Sequence, residues 1–173
     1  MDIVEQTKQY AISCHQETNH TYGHHPYEFH LNMVVEAAQE FIHLIPEIDR
    51  KHVIAGCWVH DCIEDCRQTY NDIKTATNET IADLAYALTN EKGKTRKERA
   101  NDNYYQGIKQ TPHASFIKCC DRRANVRYSK QAQNQRMLEV YQKENENFVN
   151  KIYRKEYQEI FNYLNDLLAI EAV

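Results

Sequence analysis

An all-α fold is what this sequence predicts, and three observations predict it. Helix breakers are scarce, with four glycines and three prolines in 173 residues. Straight-chain residues that favour helices are plentiful. Apolar residues recur at helical spacing along most of the chain, and no segment alternates with the period of a strand.

The elements follow in order. Residues 2–16 read as a first helix, with Ile3, Val4, Tyr10, Ala11 and Cys14 roughly on one face. Residues 17–29 form a polar, His-rich loop containing Gly23 and Pro26. Residues 30–44 read as a second helix with the stripe Leu31, Val34, Val35, Ala38, Phe41 and Ile42. A third helix is expected over 47–62. Its later half, Val53 to Val59, is almost wholly apolar and belongs at the centre of a core. Short helices are expected at 69–76 and 79–90, the latter capped by Asn78. The basic run 91–99 precedes a helix to about 108 and a turn near Pro112. Residues 114–128 read as a buried helix, and 131–145 and 147–170 as amphipathic closing helices.

Length suits a single domain over 1–173, since domains commonly run from roughly 100 to 200 residues. An apolar fraction of 42% supports a folded core, and the formal charge of -4 offers no basic field for nucleic acid. The apolar runs are far shorter than a membrane span. The start Met1-Asp2-Ile3-Val4-Glu5 lacks a basic and then apolar leader, so a cytoplasmic location is expected. The six cysteines, Cys14, Cys57, Cys62, Cys66, Cys119 and Cys120, then read as reduced thiols. Their spacing gives no pair of CxxC knuckles, which argues against a Cys-only zinc site.

His60-Asp61, at the end of the apolar helix, is the strongest chemical feature. An imidazole nitrogen and a carboxylate oxygen side by side can both reach one divalent cation. Glu64 and Asp65 follow one turn later, where an acid or base for a metal-bound water is useful. His30 opens an amphipathic helix just after Pro26-Tyr27, a place that can turn an imidazole inward. Asp121 follows the mostly apolar run Phe116 to Cys120, and an acid there needs compensation. Each feature has a plainer reading. His30 alone fits a hydrogen-bonded core or loop histidine, Asp121 alone fits an ion pair with Arg122 or Arg123, and Glu64 and Asp65 alone fit a solvated helix end. His15, His20, His24 and His25 are a weaker second metal cluster.

Together the order His…His-Asp…Asp resembles the HD superfamily of metal-dependent phosphohydrolases. Pro26-Tyr27-Glu28-Phe29-His30 resembles the PYxxH segment of the Rel/SpoT hydrolase domain. His60-Asp61-Cys62-Ile63-Glu64-Asp65 resembles its HDxxED, and Ile117 to Asn125 its KLADRLHN. Leu88-Thr89-Asn90 stands where that group carries VT or LT before a lysine-rich loop. The resemblance runs from about His15 to Asn125, and the length resembles stand-alone hydrolases such as the metazoan SpoT homologue.

The resemblance implies an HD-domain helical bundle holding one divalent metal, usually manganese, and removing the 3′-pyrophosphate from guanosine tetra- or pentaphosphate. Carried over by position, His30, His60, Asp61 and Asp121 are metal ligands, and Glu64 and Asp65 orient or activate water. Lys118, Asn125 and Tyr27 lie near the nucleotide. Lys92 and Lys94, with Arg96 and Lys97, are the cations expected to fold over the mouth of the site and grip phosphate; a solvated loop is the alternative. The expected partner is a small-molecule nucleotide, with a homo-oligomer left open and neither nucleic acid nor membrane. Leu31 replaces the proline usual after the first histidine, and Cys66 the usual threonine. The arginine-lysine pair before PYxxH is unmatched, leaving Tyr22, His24 or His25 to stack on a base. Action on another nucleotide, and a non-catalytic helical binding module, are the competing functions.

Overall fold

A computed structural model describes residues 1–169. Their regular structure is helical apart from one two-stranded hairpin, so the all-α expectation holds. The chain begins with α1 (Ile3–Glu17), then turns through β1 (Thr21–Tyr22) and β2 (His25–Pro26). These strands pair antiparallel, Tyr22 opposite His25, around Gly23 at φ +59°. Helix α2 (Glu28–Glu40) follows, and a 3-10 turn at Ile42–Leu44 replaces the last part of the expected 30–44 helix.

The expected 47–62 helix is broken. A 3-10 turn at Glu47–Asp49 leads into α3 (Arg50–Val59), and a separate short α4 spans Cys62–Asp65. Between them Asp61 sits at φ -105°, ψ 0°, well off the ideal helical angles though within the broad right-handed region. That break has a consequence. Consecutive residues of a continuous helix diverge by about 100°, because a turn takes about 3.6 residues. The turn lets His60 and Asp61 face one place.

Helices α5 (Tyr70–Ala76), α6 (Glu79–Leu88), α7 (Arg96–Arg99) and α8 (Asp102–Gln110) are each started by a side-chain cap. Thr69 and Thr95 form capping boxes with Asp72 and Glu98. Asn78 accepts from the Ile81 amide, as its position predicts.

The C-terminal half differs from expectation in its boundaries. Helix α9 runs over Ala114–Gln131, α10 over Gln135–Ile152 and α11 over Gln158–Leu168. Residue 170, the expected end, lies outside the described residues. No glycine or proline marks the break after Ile152. Tyr153 and Arg154 become extended there, while the Arg154 guanidinium reaches Glu156 and the Lys109 carbonyl. The stop is therefore tertiary in origin.

Helix α3 lies centrally, touching α1, α2, α6 and α9. Gly56 permits this: a Cβ there would come within 2.8 Å of Ile117 and 2.9 Å of Leu84. Leu31, Phe116, Ile117, Phe148, Ile160 and Leu164 are fully buried in the same core. Helix α9 packs against α2, α3, α6, α8, α10 and α11, and α2 packs against α3, so α2, α3 and α9 are locked to one another. No helix among the described residues is long and apolar enough to cross a membrane.

Candidate metal centre

Three helix segments bring four side chains together. His30 comes from the first turn of α2, His60 and Asp61 from the turn after α3, and Asp121 from the middle of α9. His60 Nε2 lies 3.0 Å from Asp61 Oδ2 and 3.8 Å from Asp121 Oδ1. His30 Nε2 lies 3.2 Å from Asp121 Oδ1 and 3.8 Å from Asp61 Oδ2. His30 and His60 are each 1% exposed and Asp121 7%. His30, His60 and Asp121 form a buried group whose donor atoms could all reach one metal ion.

The donor set fits such an ion. His60 Nδ1 lies 2.8 Å from the Cys57 carbonyl, so that nitrogen carries the proton and donates. Nε2 then faces the carboxylates and makes no hydrogen bond of good geometry. An orphaned buried polar atom is costly unless something satisfies it. A histidine fixed through its other nitrogen is the usual arrangement of a ligand. Donor separations of 3.0–3.8 Å suit bonds of about 2.0–2.2 Å to a shared centre.

Electrostatics agree. Burial works against charge on the His60 imidazole, but Asp61 and Asp121 lift its pKa well above the ordinary value. Burial likewise opposes charge on Asp121, and Lys118, His30 and His60 overcome it. Two carboxylates in a buried space thus draw in positive charge, here from Lys118 and the histidines, a demand that a divalent cation could also meet.

The surroundings hold the carboxylates. The Tyr27 hydroxyl donates to Asp61 Oδ2. Lys118 Nζ donates to Asp121 Oδ2 at 2.8 Å, and Asn125 Nδ2 to Asp121 Oδ1 at 2.6 Å. The Tyr22 hydroxyl donates to Asn125 at 2.7 Å while its ring stacks on His30. The hairpin therefore covers one flank of the centre.

A cavity of about 250 Å³ opens onto it. Tyr27, His30, Asp61 and Asp121 line it, with Lys118 and Asn125. Glu64 and Asp65 line it too. Glu64 is held by the Asn90 backbone amide at 3.1 Å and side chain at 3.0 Å. Burial, then the charges of Asp61 and Glu64, push Asp65 up to about 7.

Lys92 and Lys94 are exposed and outside the lining. From the same run, Arg96 reaches the cavity instead, joined by Arg122, Asn90 and Tyr141. Glu144 holds both arginines, at 2.6 Å from Arg96 Nε and 3.1 Å from an Arg122 terminal nitrogen. Both guanidinium groups lie over the Tyr141 ring. Nothing in the linear sequence points to Tyr141 or Glu144, which come from α10. Arg122 had a local cue, being next to Asp121. His24 and His25 are exposed and do not line the cavity. No family profile matches the chain, and no curated protein matches it.

Proposed function

We propose that this protein is a metal-dependent phosphohydrolase of the HD type, acting on guanosine 3′,5′-bis(diphosphate) to release the 3′-pyrophosphate. The observation that carries the reading is the convergence of His30, His60, Asp61 and Asp121 beside a cavity that His30, Asp61 and Asp121 line together with Lys118, Arg96 and Arg122.

In this reading the four side chains hold manganese, which when bound polarises phosphate and lowers the pKa of water. The residues of the chain do the rest. Glu64 and Asp65 sit at the cavity wall, where their carboxylates orient a water molecule and accept its proton. Lys118 neutralises Asp121 and offers charge toward a phosphoryl oxygen. Arg96 and Arg122 are set by Glu144 to grip the more distant phosphates, since guanidinium forks match phosphate oxygens. Tyr27 and Asn125 orient the carboxylates.

A second reading is favoured by Glu144, which offsets part of the positive charge of Arg96 and Arg122. A less charged nucleotide, such as a nucleoside monophosphate, suits that balance. The deciding experiment assays ppGpp, a nucleoside monophosphate and a generic phosphodiester with added Mn²⁺, with His60→Ala as control. Pyrophosphate release from ppGpp above the other two supports the first reading. Preference for the monophosphate supports the second. No hydrolysis of any of them above the control overturns both and leaves a helical binding module.

A further inference from the structure

Beside the His60-Asp61 turn, α1 meets α4. His15 projects from α1 against Cys62 and Cys66, one residue on each flank of Ile63-Glu64-Asp65. His15 is 2% exposed, Cys62 0% and Cys66 2%. His15 Nε2 lies 3.9 Å from Cys62 Sγ, and the three donor atoms all lie within 4.8 Å of one another. Cys14, the residue before His15, is also buried, with its thiol against that of Cys62.

We propose that His15, Cys62 and Cys66 form a second metal site, distinct in its donors from the His–Asp centre, that takes a thiophilic ion such as Zn²⁺, with Cys14, whose thiol meets that of Cys62, as a further donor. Four features carry this. The donors are soft thiols and an imidazole, the set that zinc selects, whereas the first centre offers imidazoles and carboxylates. Bonds of about 2.3 Å to sulfur and 2.0–2.1 Å to nitrogen place tetrahedral donors about 3.5–3.8 Å apart, and the His15–Cys62 separation is close to that. Cys62 and Cys66 stand four apart, within the spacing of zinc-binding cysteine pairs. Finally, His15 Nδ1 lies 2.9 Å from His20 Nδ1, a contact in which one ring must donate. With His15 the donor, its Nε2 lone pair faces the thiols, the orientation a ligating imidazole needs.

The Thr18 hydroxyl donates to the Cys14 and His15 carbonyls, each at 3.2 Å, and lies 3.9 Å from Cys66 Sγ. Cysteine packs well in a core as a small apolar residue. Packing alone does not call for an imidazole edge turned onto two thiols. The spacing argument against a Cys-only site still stands, because the site is mixed and its histidine comes from a different helix. Cys62 directly follows Asp61, so an ion here ties α1 to the turn that aims the first centre. The inference does not depend on the hydrolase reading.

The test uses Co²⁺ as a probe on the full chain, stripped of metal under reducing conditions. Thiolate ligation gives near-ultraviolet charge-transfer absorption, which the His–Asp centre has no sulfur to produce. The expected result is a band that saturates on titration, at one equivalent in His60→Ala and within two in wild type, and is abolished by Zn²⁺. Cys66→Ser removes it, His15→Gln weakens cobalt binding, and His60→Ala leaves it in place. Circular dichroism checks that each variant folds, and the wild-type titration decides even if Cys66→Ser does not. Absence of the band in wild type, a band unchanged by Cys66→Ser, or a disulfide involving Cys62 or Cys66 in protein purified without chelator overturns the proposal.

Discussion

The Tyr27 hydroxyl donates to Asp61 Oδ2, the carboxylate oxygen that also lies 3.0 Å from His60 Nε2. Tyr27 is buried, and its ring stacks on His20 and His15. It therefore works as a brace between the hairpin side and the carboxylate. Tyr27→Phe removes the brace and keeps the ring. Metal affinity is expected to fall roughly 10–100-fold, the usual cost of losing a partner to a ligand. Metal titration with circular dichroism as a folding control checks it. Unchanged affinity shows that the bond does not support the centre.

Glu64 and Asp65 line the cavity without belonging to the buried donor group. Glu64→Gln and Asp65→Asn are expected to lower turnover roughly 100-fold or more on the substrate that the panel identifies, with metal content retained. Elemental analysis of the purified variants is the companion measurement. Loss of metal along with activity reassigns these acids as ligands or supports.

Asp65 also predicts a pH effect on stability in chelator. Its folded value of about 7 exceeds the ordinary 3.8, through burial first and then the charges of Asp61 and Glu64. The folded chain thus holds this proton more tightly than the unfolded one. The resulting stabilisation is complete below about pH 4 and is lost as pH rises through about 7. Asp65→Asn cannot lose it. Melting curves should show the variant gaining on wild type between these limits and keeping a constant margin above them. A margin that does not vary with pH contradicts the raised value. Asp61 and Asp121 are shifted downward, so they act below this window.

Arg96 and Arg122 reach one cavity from α7 and α9. A charge-assisted contact contributes about 1.5–3 kcal/mol, so either alanine variant should raise KM for ppGpp roughly 10-fold or more. The loss should be smaller for a nucleoside monophosphate, which has fewer phosphates to grip. Lys92→Ala and Lys94→Ala should change neither value. Steady-state kinetics on both substrates makes the comparison. Equal losses on both substrates place the arginines at the shared phosphate.

Much of this arrangement is legible in the order of residues. Helices over Leu31–Ala38 and Phe116–Asn125 follow from apolar spacing, a local property. The four residues that converge were legible as a set, from the order His30, His60-Asp61 and Asp121, whereas each alone also fitted a plainer role. The turn at Asp61 was not legible. The one breaker in the apolar run, Gly56, lies inside α3, and the chain departs from the helix after Val59 without a glycine or proline to mark the place. The end of α10 was hidden for a similar reason, since Arg154 secures it through Lys109, 45 residues away. Lys118 and Arg96 are among the cations expected at the site, and His15 among candidate ligands, but which basic-run residue enters the cavity and which partners His15 meets depended on packing. Glu144 selects Arg96 over Lys92 and Lys94 from a helix some 48 residues later, and His15 meets thiols 47 residues on. Periodicity and chemical type are written along the chain, whereas a meeting between distant side chains exists only once helix packing has set their distance and angle.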